Sequence, residues 1–426
     1  PATDGGSEHA TIYPGSVPPS LEEYPMTEAV IVSTARSPIG RAQKGSLVEV
    51  RPDDLLTTII DAVFAKVPSL DRNLVEDLIL GCGQPAGESG YNLARVAAVM
   101  ADMPDVPGVT VNRYCSSSLQ TTRMAAHAIK AGEGDIFLSA GVETVSRYIH
   151  GMADGGPTNP AFAEAGERTA KAAEGGAGAW SPPAGLPDIY IAMGQTAENV
   201  ASFKQVPRER MDEFAALSQQ RAVTNQENGF FDGEITPITT PDGTVVSKDD
   251  GPRAGTTVEK LAGLNPVFRP DGVITAGNAC PLNDGAAAVI VMSDTKAKEL
   301  GLTPLARVVS SGVSGLNPEI MGLGPIEASK QALARAGMTM DDIDLVEINE
   351  AFAAQVIPSA DELGIPWEKL NVKGGAIALG HPFGMTGARI TTTLLHALED
   401  EDKQFGLETM CVGGGQGMAM VFERLS

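Results

Sequence analysis

Two stretches of the chain, about 270 residues apart, carry the same order of apolar and polar runs, and this repeat restricts the fold more than any other feature. In the first, an amphipathic run from Asp54 to Phe64 leads into Val75-Glu76-Asp77-Leu78-Ile79-Leu80-Gly81. In the second, a run from Ile326 to Ala336 leads into Ile343-Asp344-Leu345-Val346-Glu347-Ile348-Asn349. Each reads as a helix, a polar loop and a short buried strand. The match continues, because Val109-Thr110-Val111-Asn112 precedes Cys115 and a helical run over 116–131. Likewise Leu370-Asn371-Val372-Lys373 precedes His381 and a helical run over 387–398. Strands at 136–139 and 408–410 then enter glycine-bearing turns, so Cys115 and His381 hold equivalent places. Short apolar strands alternating with longer amphipathic helices predict an α/β fold of two similar halves. Mostly parallel sheets would be covered by helices, with equivalent loops meeting around a pseudo-twofold axis.

Between the halves the pattern changes. Residues 151–184 are dominated by Gly, Ala and Pro and read as an irregular loop, after which helical spacing returns over 193–226. We read this stretch as an inserted lid. The chain then divides into a leader at 1–25, a first half at 26–150, the insertion and return to the first half at 151–270, and a second half at 271–426. Residues 1–25 are rich in Pro, Ser, Gly and acid and lack a basic start and an apolar core. They read as a disordered leader and not as a signal peptide, with Met26 a candidate original start.

The formal net charge of -23 argues against nucleic acid or an anionic membrane surface as partner, since either needs a positive footprint. An anionic ligand would need a local basic or backbone-amide cradle. No apolar run approaches the roughly 20 residues of a membrane span. The four cysteines, Cys82, Cys115, Cys280 and Cys411, show neither metal-ligand spacing nor short-range pairing, so no metal is expected and a reducing, cytoplasmic setting fits.

Cys115 lies where a strand gives way to a helix, and free amides with the helix dipole there favour a thiolate, predicting a lowered thiol pKa. A buried, inert cysteine is the plainer alternative. His381 is the one histidine of five set in a glycine-rich turn, Gly374-Gly375-Ala376-Ile377-Ala378-Leu379-Gly380-His381-Pro382. An imidazole facing a thiol activates it. Cys411 precedes Gly413-Gly414-Gly415-Gln416-Gly417, whose amides are candidates for an oxyanion. Asn349, at the end of a buried strand, either polarises a carbonyl through its amide or caps the next helix.

Together these segments resemble the thiolases, over nearly everything from Met26 to Ser426. The matching stretches are the Cys115 loop, Met193 to Asn199, Thr275 to Asn278 with Asn283 to Ala288, Asn349 to Gln355, Gly374 to Gly387 and Cys411 to Gly417. The resemblance implies a layered αβαβα fold and an acyltransferase that works by ping-pong transfer through an acyl-cysteine. In that family the position of Cys115 attacks an acyl thioester while that of His381 takes its proton. The positions of His381 and Asn349, through a water, form one oxyanion hole, and backbone amides at Cys115 and Gly413 form the other. The position of Cys411 moves the proton at the α-carbon of acetyl-CoA.

Coenzyme A, a substrate and not a resident cofactor, is implied at Arg253, Phe268, Ala276, Gly277 and Cys280, with Met321 and Phe352 near the acyl group. The resemblance also implies a homodimer or homotetramer. Two positions depart from the family pattern: Ser118 stands where Gly is usual, and Cys280-Pro281 replaces Ser-Gly. The lid after His150 has no further histidine, which leans towards degradative cleavage of 3-ketoacyl-CoA in fatty acid β-oxidation. The alternatives are a biosynthetic acetoacetyl-CoA-forming acetyl-CoA acetyltransferase, a decarboxylating condensing enzyme, and a non-catalytic acyl-CoA or sterol carrier. Cys411 with the Asn349 segment argues against the second of these, and retention of Cys115, His381 and Cys411 argues against the carrier.

Overall fold

The computed structural model describes residues 27–426, so the leader and Met26 lie outside the described residues. Five strands of four or more residues build the first half: β1 (Ala29–Arg36), β2 (Asp77–Gly81), β3 (Gly108–Val111), β4 (Ile136–Thr144) and β5 (Asn283–Ser293). Four build the second: β6 (Ala306–Gly315), β7 (Leu345–Ile348), β8 (Phe405–Val412) and β9 (Gln416–Arg424). All lie on one sheet path, in the order β7-β8-β9-β6-β1-β5-β4-β2-β3. Outside β7, Leu370 forms a parallel bridge to Val346, where β3 stands beside β2 in the first half.

The repeat is therefore topological. In each half two pairings are parallel and two antiparallel, and the halves join where Val30 and Ile31 of β1 meet Arg307 and Ala306 of β6. This corrects the expectation of mostly parallel sheets. The strand that turns back is β9, which follows β8 across the Gly413–Gly415 turn and must run antiparallel. Its counterpart β5 follows β4 only after residues 145–282, so the insertion occupies the place of a three-residue turn. It also moves the boundary placed at 271, because β5 sits between β1 and β4 inside the first half.

Helices complete five layers. On the outer face of the first half-sheet lie α1 (Pro52–Ala65) and α2 (Leu93–Met100). The next helix, α3 (Ser117–Ala131), leads from the Cys115 turn into β4, and the insertion carries α4 (Ala163–Ala173), α5 (Met193–Lys204) and α6 (Arg208–Glu227). The outer face of the second half carries α7 (Gly324–Ala336) and α8 (Ala353–Leu363), while α9 (Thr386–Asp400) packs beside α3 between the half-sheets. Strand β5 shows why its sequence is apolar without alternation: Ala286, Ala288, Ile290 and Met292 join the outer core and Ala287, Val289 and Val291 the central one. Among the described residues no helix is long and apolar enough to cross a membrane.

Two local expectations are revised. Residues 163–173, taken as irregular, form α4, since the alanines tolerate a helix that buries little. The helical pattern over 193–226 is two helices broken at Gln205, whose φ of 53° lies in the left-handed region before Val206-Pro207.

Candidate active site

Cys115 follows β3 within the short 3₁₀ turn Tyr114–Ser116, and α3 begins two residues later. Tyr114 adopts φ 44°, an unfavourable region for a non-glycine residue, and Asn112 Oδ1 accepts its N–H at 2.7 Å. The turn is fixed from both sides: Arg113 N–H donates to Ser117 Oγ at 2.9 Å, and Arg113 Nη1 donates to Gln416 Oε1 at 2.8 Å. Gln416 Nε2 in turn donates to the Gly413 carbonyl at 3.2 Å, tying the Cys115 turn to the glycine turn after Cys411. Gly414 and Gly415 there have φ of 77° and 79°, which side chains would strain. The backbone N–H groups of Gly413 and of Cys115 itself both act on the Cys115 thiol.

The segment after His381, Phe383–Met385, packs against the Tyr114–Ser116 turn from the second half. The His381 N–H donates to Asn283 Oδ1 at 2.9 Å, and Gly380, with φ 114°, lets the backbone lie against that side chain. The ring nitrogens have different partners. Nδ1 is 2.6 Å from Thr386 Oγ1, while the Thr386 hydroxyl donates to the Pro382 carbonyl at 2.9 Å. With its one hydrogen so used, Thr386 accepts from Nδ1–H, which leaves Nε2 as the unprotonated, basic nitrogen. Asn349 Nδ2 sits 3.3 Å from Nε2, and Gln355 Nε2 donates to the Asn349 carbonyl at 2.7 Å. The Asn349 Oδ1 is buried with no partner among the described residues, a free acceptor in the site.

Two buried carboxylates lace the loops together. Glu143, at the end of β4, accepts from the N–H groups of Gly83, Gln84 and Gly384 and from the Tyr148 hydroxyl. Glu350 accepts from Ser218, Asn371 and the Ile377 N–H. Thr386, Asn283, Gln355, Glu143 and Gln416 were not singled out as site residues from the sequence: Asn283, Glu143 and Gln416 act through partners far away in the chain, and Thr386 and Gln355, five and six residues from theirs, stand in the first turn of helices whose sequence does not say which side chain turns back. The one available signal was that Asn283, Gln355, Thr386 and Gln416 fall inside the stretches that carry the family resemblance, while Glu143 falls outside them.

Electrostatics correct the expected thiolate. Cys115 is buried, and desolvation pushes its thiol up to about 11 against the two amide donors. The short 3₁₀ turn with its helix behind it does not overcome burial. Burial and then Arg389 hold His381 down at about 3. Burial thus favours the neutral form of both groups and works against a thiolate–imidazolium pair. Cys411 and Cys280 are raised by burial as well, and the three thiols lie within one another's field.

The remaining residues group around this centre. Met321, Phe352 and Cys411 share one apolar cluster against which Phe268 packs, with Phe268 and Phe352 edge-to-face at 6.2 Å. Cys280 N–H donates to the Ala351 carbonyl at 3.0 Å, which brings the 275–280 loop to the Asn349 segment. Within that loop Ala276 precedes Gly277, whose N–H donates to Thr275 Oγ1 at 3.1 Å. Arg253 lies at the exposed surface of the insertion, its backbone N–H on Gln219 Oε1 at 2.8 Å. Ser118 supports the neighbouring helix, because its Oγ accepts the Ala388 N–H at 2.8 Å, one of the first-turn donors of α9 that lack an intrahelical partner. Ser118→Ala is expected to cost about 1–3 kcal/mol in urea denaturation by orphaning that buried N–H.

These relations fit a known family. A model of the thiolase N-terminal domain matches residues 29–295 and one of the thiolase C-terminal domain matches 302–424. The chain belongs to the thiolase family. It is 44% identical over 411 residues to a 3-ketoacyl-CoA thiolase of Bacillus subtilis, covering 93% of this chain and 100% of that one. A 3-ketoacyl-CoA thiolase of Aeromonas salmonicida is also 44% identical, over 94% of this chain and all of its own. The crystal structure of the Bacillus anthracis acetyl-CoA acetyltransferase superposes with a TM-score of 0.80 at 39% identity, over 94% and 99% of the two chains. As a thiolase-family member this chain is an acyltransferase.

One consequence of the thiolase core concerns stability. Glu347 on β7 is buried near Arg389 and is raised to about 8, chiefly by desolvation. The native state thus binds a proton that the unfolded chain loses near 4.3, so Glu347 costs stability progressively as pH rises from that value to 8. Glu347→Gln is expected to be near neutral at pH 4.5 and to stabilise by on the order of 2–4 kcal/mol at pH 8, read from denaturation at the two pH values.

Proposed function

We propose that the chain is a degradative thiolase, cleaving 3-ketoacyl-CoA with coenzyme A to acetyl-CoA and a shortened acyl-CoA. What supports this reading is the packing of the Cys115 turn, its thiol under the Gly413 amide, against the segment that follows His381, whose Nδ1 is engaged by Thr386 and whose Nε2 faces Asn349. Cys115 Sγ bonds to the 3-keto carbon as its proton passes to His381 Nε2. Because burial favours the neutral form of both groups, the transfer proceeds as negative charge moves to the carbonyl oxygen, where oriented donors stabilise it. The bond between the α-carbon and the keto carbon then breaks, and Cys411 supplies the proton to the acetyl-CoA enolate. Coenzyme A next attacks acyl-Cys115, its thiol proton passing to the Cys411 thiolate while His381 returns its proton to the departing Cys115 sulfur, which releases the shortened acyl-CoA and restores both thiols.

The apolar wall of Met321, Phe352 and Phe268 supports an acyl chain beside Cys115, and the exposed Arg253 supports an anionic nucleotide end on an acidic chain. No resident cofactor or metal enters this scheme. We place the protein in the cytoplasm as a homodimer or homotetramer, following the cysteine content and the family. The names of the B. subtilis and A. salmonicida relatives favour cleavage, while the B. anthracis neighbour favours a biosynthetic acetyl-CoA acetyltransferase.

A kcat/KM series over 3-ketoacyl-CoA chain lengths separates them. Degradative cleavage expects turnover of medium or long substrates at least equal to that of acetoacetyl-CoA. Turnover of acetoacetyl-CoA alone would favour the biosynthetic reading, and no thiolysis of any substrate would overturn both.

A further inference from the structure

One cluster of charge has no part in this chemistry. The face of α3 that carries Arg123, His127 and Lys130 opens on a cleft of about 300 Å³, closed on the far side by residues 308–311 of β6 and by Arg335 in the last turn of α7. Arg123 Nε donates to Ser311 Oγ at 3.1 Å, Arg335 Nη1 to the Ser311 carbonyl at 2.6 Å and Lys130 Nζ to the Val308 carbonyl at 3.4 Å. These neutral acceptors hold two guanidinium groups against one serine and use a single N–H of each. Among the described residues no carboxylate lines the cleft, and Glu28 reaches Lys130 only at 3.7 Å from outside the lining.

Such a gathering works against itself. Burial and the charges of Arg113 and Arg335 hold Arg123 below its ordinary range, and burial with Arg123, Lys130 and Arg335 does the same to His127. The chain has 54 acidic and 31 basic residues, yet here cations face one another across a concave surface whose described lining holds no counter-charge. An anion relieves that repulsion, and paired guanidinium forks match the oxygens of phosphate. The volume suits a compact molecule and is at the low end of ligand pockets.

We propose that the cleft between α3 and β6 binds a compact phosphate-bearing anion, held by Arg123, Arg335 and Lys130. The site is separate from the Cys115 centre, and none of its residues enters the acyl-transfer scheme.

Calorimetric titration of the full chain with inorganic pyrophosphate tests it. Saturable binding at one site per chain is expected, weakened at least about tenfold in Arg123→Gln and in Arg335→Gln and weakened by added salt. Thiolysis and the melting temperature of both variants should match wild type, and the His127 imidazole pKa, followed by NMR, should rise on saturation. Absence of saturable binding at about 1 mM, a range that any useful anion site should reach, overturns the proposal. So does equal binding by wild type and both variants, which would mark an adventitious ion only. Concentration-dependent protection of residues 123–130 from hydrogen exchange, unchanged by pyrophosphate, would assign the cations to a second copy of the chain and likewise overturn it.

Discussion

Cys115→Ala is expected to lower the thiolysis rate by about 10⁴ or more while leaving the melting temperature within a few degrees of wild type. The size of the loss follows from the scheme: without a sulfur there is no acyl-enzyme, and coenzyme A has no thioester at residue 115 to attack. The fold should survive because the turn is held by contacts that do not involve the thiol, through Asn112, Ser117 and Gln416. A steady-state assay with circular dichroism melts checks both halves. Retained turnover would remove Cys115 from the reaction, and loss of folding would leave the assay uninformative, in which case Cys115→Ser, nearly isosteric, takes its place with the same expected loss.

Cys411→Ala should divide the reaction. The Cys411 thiol lies on β8 within the field of Cys115 and among the apolar side chains that face the acyl group. If it moves the α-carbon proton, its removal should lower thiolysis by about 10³ or more, since general acid–base help of this kind is worth 10²–10⁴. Transfer of an acyl group from acyl-CoA to Cys115, which moves no proton at carbon, should persist within about tenfold. Acyl exchange between acyl-CoA and labelled coenzyme A reports the second step, and an equal loss in both assays would give Cys411 a structural role only.

How much of this was legible in the sequence depended on how local the signal was. The two halves were visible because the same helix, loop and strand runs recur about 270 residues apart, and the sheet order repeats with them. His381 and Cys411 stood out through neighbouring glycines, and Cys115 through its place at a strand-to-helix junction that matches His381 in the repeat. Strand direction was less legible. β5 lies beyond the insertion, and nothing local to Asn283–Ser293 says that it returns antiparallel between β1 and β4. The residues that hold the site together were hidden for a related reason: Glu143 pins Gly384 and Asn283 holds the His381 N–H only because distant loops are folded together, while Thr386, five residues from His381, fixes its tautomer through turn geometry that the sequence does not spell out. The thiol's raised pKa was missed because helix-terminus reasoning counts the donors that favour a thiolate. Burial, which opposes it, becomes visible only with the packed second half.

The central claim is that acyl groups pass through Cys115, and mass spectrometry of the protein mixed with an acyl-CoA and quenched before coenzyme A is added tests it most directly. The expected result is a single acyl adduct on the Cys115 peptide that disappears when coenzyme A is supplied. An unmodified Cys115 peptide, or an adduct confined to Cys280 or Cys411, would contradict it.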